Sequence, residues 1–265
     1  MAANDEDEAS EDQGERVPNN PAARLLAFVT GFRDLPRFHK ADRMPTGQAV
    51  AILLGIDPVD PPRLMRELAL LLDLPRQARE AIRATDAVPD EFAAEFDAID
   101  EWFHFADNLA GYATQPAGQV TNEMVKALKL CSGLLSLHAA EPVPTLVKLS
   151  KVRDEANALL SEVVAADLDN PDLAKLLAYH LHRIVEALDT YRITGDAPAR
   201  AAAAEAVGDL LLLGSTRNEF SKKDRTWVDR FWDVLSRTVD LGSAFGLTLA
   251  AGHAVMAALG TGLHP

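Results

Sequence analysis

Several classes of chemistry are missing from this 265-residue chain, and the gaps narrow what it can be. Its one cysteine, Cys131, excludes an internal disulfide framework; its place on an apolar helical face predicts an inert thiol. Neither GxGxxG nor GxxxxGK[ST] occurs, so no glycine-rich phosphate cradle is signalled. GxSxG, HExxH and CxxC are absent as well, which removes the usual signatures of a nucleophile elbow and a zinc site. Bases are scarce: 26 Lys and Arg stand against 40 Asp and Glu, for a net charge of −14. Such a polyanion lacks the cations that displace counterions from nucleic acid, so no nucleic-acid partner is expected. The acidic opening residues lack the basic and apolar regions of a signal peptide, which makes the cytoplasm the default compartment. No cofactor is called for.

What is present is a long ion-free run at the end. Leu241 to Leu263 contain no Asp, Glu, Lys or Arg, and Gly242, Gly246, Ala250, Ala254, Ala258 and Gly262 recur four apart. On a helix these small residues form a bare ridge that lets another backbone approach closely. At about 1.5 Å per residue the run covers roughly 35 Å, enough to cross a bilayer core, but five glycines and few large apolar residues weaken the case for insertion. Burial in a helical bundle is the competing expectation. The preceding stretch is amphipathic: Trp227, Val228, Phe231, Leu235 and Val239 recur at helical spacing with Trp232 beside them. Lys222, Lys223, Arg225, Arg230 and Arg237 are nearly cancelled by Asp224, Asp229, Asp233 and Asp240. Trp227 and Trp232 would suit a membrane interface, whereas the balanced charge suits an ordinary surface helix.

Elsewhere the periodicity is helical, and the fold expected is all-α, a multi-helix antiparallel bundle with a hydrophobic Gly/Ala-rich C-terminal helix. Residues 1–20 carry seven acids against Arg16 and read as a disordered acidic tail. Residues 21–112 form an N-terminal helical subdomain with helices broken at proline: a first one ending near Leu35-Pro36, a short one capped by Thr46 and stopped by Gly55, one started by Asp60, and another from about Pro75 to Ala84. Val50 to Ile56 fits a buried strand as well. The 90–109 stretch is the best helix of this half, with Phe92, Phe96, Ile99 and Phe103 on one face. Gly111 to Gly118 is a composition break and candidate boundary. Residues 119–215 form a helical bundle, with apolar faces in 121–140 and 145–166, Asn170 capping a helix that ends at Gly195, and an Ala-rich helix over 197–212. Residues 221–265 complete the chain as an amphipathic-to-hydrophobic helix.

The segment from Leu176 to Gly195, followed by Ala206-Val-Gly-Asp209, resembles a hairpin of an uncharacterised group of bacterial all-helical proteins, covering about 172–213. The resemblance implies a helical hairpin and a bacterial origin, and carries no activity with it.

One side-chain constellation suggests chemistry. Asp97, Glu101 and His104 share a helix face, as do His182, Glu186 and Asp189, and two such faces packed together would resemble bundle di-metal sites. Both lie opposite apolar stripes, where charged residues are ordinarily solvated. His180 falls on the apolar stripe and is expected to be a core histidine bonded to a neighbour. The leading expectation is a noncatalytic interaction protein whose C-terminal helix mediates packing, self-association or membrane contact, with a protein partner, a second copy or a membrane surface opposite it. The alternatives are a metal-dependent helical-bundle enzyme using those six residues, and a membrane-active effector of a bacterial conflict system.

Overall fold

The computed structural model describes residue 18 and residues 20–38, 43–85, 93–138, 144–216 and 220–241. Among these the chain is all-helical, with one isolated bridge, Pro45 to Tyr112, in place of a sheet. The described residues divide into two compact units, one within Pro18–Glu141 with Arg192–Gly195, the other within Pro142–Tyr191 and from Asp196 to Leu241. The break at 111–118 therefore falls inside the first unit, and Lys222–Asp240 belongs to the second rather than standing apart.

In the first unit, α1 (Pro21–Phe38) packs on α3 (Pro61–Arg83) and α6 (Asn122–His138). Asn20, assigned by sequence to the tail, starts α1: its Oδ1 accepts from Ala23 N at 2.8 Å, while its Nδ2 donates to Ser132 O and Ser136 Oγ, both at 3.1 Å. One amide thus caps α1 and ties it to α6. Two expected breaks are absent. α1 runs past Leu35-Pro36 to Phe38, and α3 passes through Pro75 as a single helix of 23 residues. A proline inside a helix deletes one i→i−4 bond; burial of Leu71, Leu74, Pro75 and Ala78 on one face holds α3 together across the gap. Asp60 caps α3 as expected, accepting from Arg63 N at 3.1 Å.

Helix α2 (Thr46–Leu54) removes the strand alternative for 50–56, and Gly55 stops it in the left-handed region at φ 70. Thr46 does not cap it. Pro45 stands at the cap position, and the first N–H groups find distant carbonyls instead: Thr46 N donates to Gly111 O at 2.7 Å and Gly47 N to Leu109 O at 2.8 Å. The Thr46 hydroxyl adds a 2.9 Å bond to the same Gly111 oxygen. α4 (Ala93–Trp102) gives way to a tighter 3-10 turn, Phe103–Asn108, before α5 (Thr114–Gln119) and α6. The core beneath is aromatic, with Phe32 at 5.6 Å from Trp102 and 5.3 Å from Phe105 between ring centroids.

The second unit contains α7 (Leu146–Ala165), α8 (Pro171–Asp189), α10 (Ala197–Thr216) and α11 (Lys222–Asp240); the single turn α9 (Tyr191–Thr194) precedes Gly195 at φ 71. α8 therefore ends at Asp189, one turn before Gly195. Asn170 caps α8 by accepting from Asp172 N and Leu173 N. α8 packs on α7 and α10, and α11 on α7 and α10, around Leu177, Leu181, Ile184, Phe231 and Leu235, all fully buried. The buried Asp224 ties α11 to the loop before α8 by accepting from Asp169 N at 3.2 Å.

Candidate functional site

The pairing of 44–47 with 109–113 creates a cavity of about 550 Å³ within the first unit. Ala113 N donates to Met44 O at 2.9 Å, completing a run of backbone bonds that holds the start of α2 against the turn after the 3-10 segment. The backbones approach closely here: an added Cβ on Gly47 would sit 3.4 Å from both the Cβ and the carbonyl oxygen of Leu109. The buried lining is apolar, made by Trp102, Phe105, Pro116 and Met124, with Ala98 at the exposed rim. The Trp102 indole N–H is already donated to Pro116 O at 2.8 Å, which fixes the ring and leaves it as apolar wall. Around the mouth stand Glu101, His104, Tyr112, Gln115 and Gln119.

Two of the residues singled out from sequence, Glu101 and His104, thus lie at this cavity. His104 Nδ1 sits 3.5 Å from Asp107 Oδ2, with both side chains largely exposed. Asp97 is used differently: together with Asp100 it receives the Arg79 guanidinium, at 3.2 and 2.7 Å, and so ties α4 to α3. The other three candidates sit on the second unit. His182 Nε2 is 3.8 Å from Glu186 Oε1, both exposed, and Asp189 faces Arg153 at 3.6 Å. Among the described residues no three His, Cys, Asp or Glu side chains are grouped so that they could share an ion. Tyr112, Gln115 and Gln119 escaped the sequence reading because their glycine-flanked stretch scans as a linker; Trp102 was hidden beside the phenylalanine stripe.

His180 is a core histidine, 1% exposed, with Nε2 3.0 Å from Asp209 Oδ2 across α8 and α10 and its ring edge-on to Tyr179. Cys131 is fully buried, and loss of hydration pushes its thiol up from 9.0 to about 11. Reaction of folded protein with a thiol reagent at mildly alkaline pH is expected to run at least ~100-fold slower than in denaturant; equal rates would contradict the burial. The sign of the pH effect follows: the unfolded thiol ionises first, so stability drops as pH climbs from about 9 toward about 11.

Of the segment 242–265, holding Gly242, Gly246, Ala250, Ala254, Ala258 and Gly262, none lies within the described residues. Its two tryptophan neighbours do. Trp232 is buried in the core of the second unit, 3% exposed, while Trp227 is half-buried under the Arg230 guanidinium at 4.9 Å. Arg230 also meets Glu162 at 2.6 Å, holding that carboxyl below its usual range and tying α11 to α7. Among the described residues no helix is long and apolar enough to cross a membrane. The chain matches no family model, no curated protein and no solved structure.

Proposed function

We propose that this is a noncatalytic helical interaction protein, an antiparallel bundle of bacterial cytoplasmic type, whose ion-free tail 241–263 is its contact element and packs against a second copy. One observation carries the reading. The apolar face of α11, with Val228, Phe231, Trp232 and Leu235, is already spent inside the second unit, and Leu241 is buried at its end. The tail therefore follows a helix whose apolar face is already covered. Trp232 serves that core, which takes one interfacial anchor away from the membrane reading. A ridge of small residues four apart is self-complementary, as a two-fold contact between copies requires.

Ending the chain after Leu241 tests this. The shortened protein should keep its helical signal and melting temperature while losing self-association. A body that unfolds on truncation would show the tail to be core, and unchanged association would refute the contact role.

A further inference from the structure

The cavity beside α4 carries an inference independent of the tail. We propose that it binds a small organic cation, an ammonium group on an apolar body. Its volume, about 550 Å³, falls in the range of sites for small molecules. The floor of Trp102, Phe105, Pro116 and Met124 offers apolar and π surface, and the Trp102 indole N–H is already bonded. The polar groups at the mouth are uncommitted: among the described residues the side chains of Glu101, Tyr112, Gln115 and Gln119 make no hydrogen bond or ion pair. A few polar groups at the rim of an apolar recess are a usual arrangement for orienting a ligand.

Charge decides the class. Among the described residues no Lys or Arg lines the cavity, Glu101 is the one carboxylate there, and the one imidazole, His104, leans toward a further carboxylate on Asp107. An anion would meet a carboxylate there with no base to neutralise it, and the net charge of −14 repels it at longer range. A cation gains Glu101 directly, and the Tyr112 ring, 56% exposed, can present its face to the charge. A neutral amide or alcohol would satisfy the glutamines but leave Glu101 unused.

The test titrates the full chain with phenethylammonium, phenethyl alcohol and phenylacetate, following the three tryptophan indole N–H resonances. Trp102 reports on the cavity, whereas Trp227 and Trp232 lie in the second unit and serve as internal controls. The amine should move the Trp102 signal saturably and bind about fivefold or more tighter than the carboxylate. Glu101→Gln, an exposed change that spares the fold, should shrink that preference to within about twofold. Ala98→Phe, at an exposed helical position on the rim, should obstruct the cavity and remove binding of both while circular dichroism is kept. The proposal is overturned if the amine leaves Trp102 unmoved, if phenylacetate binds as well, if Glu101→Gln keeps the preference, or if folded Ala98→Phe still binds. None of these results depends on the tail.

Discussion

Replacing Phe231 by alanine is expected to cost about 3–5 kcal/mol, the range for deleting a fully buried phenyl ring. Phe231 is 0% exposed and sits where α11 closes over α7 and α10. The loss has two parts: the ring's transfer from water, and a cavity that three packed helices cannot fully collapse. Ordinary domains hold only about 5–15 kcal/mol of net stability, so roughly a fifth or more of it would vanish. In a thermal melt this corresponds to a drop on the order of 10 °C. Thr226→Ala, on the exposed side of α11, should stay within about 0.5 kcal/mol of the parent. If both variants melt alike, α11 is not part of the core, and the proposed role of the tail loses its support.

Gly195→Val is the second large effect, expected near 3 kcal/mol of destabilisation from a left-handed backbone and a steric clash acting together. At φ 71 a β-branched residue is strained before any contact is considered. Its Cβ would also sit 2.5 Å from Nη1 and 2.8 Å from Cζ of Arg24, a guanidinium buried to 4% exposure that has little room to retreat. The opposite sign is expected at Gly133, in the middle of α6 with nothing within 4 Å of an added Cβ. There Gly133→Ala should stabilise by about 0.5–1 kcal/mol by removing unfolded-chain freedom. Melting curves of the two variants should bracket the parent, and a harmless Gly195→Val would mean that the turn between α9 and α10 is built differently.

Features whose partners lie within a few residues were legible in the sequence. Asp60 and Asn170 were found as caps because the N–H groups they accept from are two or three residues on. Thr46 was misread because its partner, Gly111 O, is 65 residues away and is a backbone atom that no side chain announces. Proline misled twice for a related reason. Its local cost argues for a stop at Pro36 and Pro75, while the burial that outweighs the cost at Pro75 comes from other helices. The same limit applies to the cavity: helical periodicity over 90–109 displayed Glu101 and His104 on one face, but nothing in Gly111 to Gln119 signals that its tyrosine and glutamines come round to the same mouth. His180 could be placed in the core from its stripe alone, because helical periodicity records burial; the choice of Asp209 as its partner required the fold.

The central claim is that the tail 241–263 acts on a second copy from a body that stands without it, and sedimentation velocity of the full chain beside a chain ending at Leu241 tests it most directly. The account predicts that the full chain sediments as a concentration-dependent oligomer and the shortened one as a folded monomer at every concentration. Identical sedimentation of the two, or a shortened chain that has lost its helical signal, would contradict it.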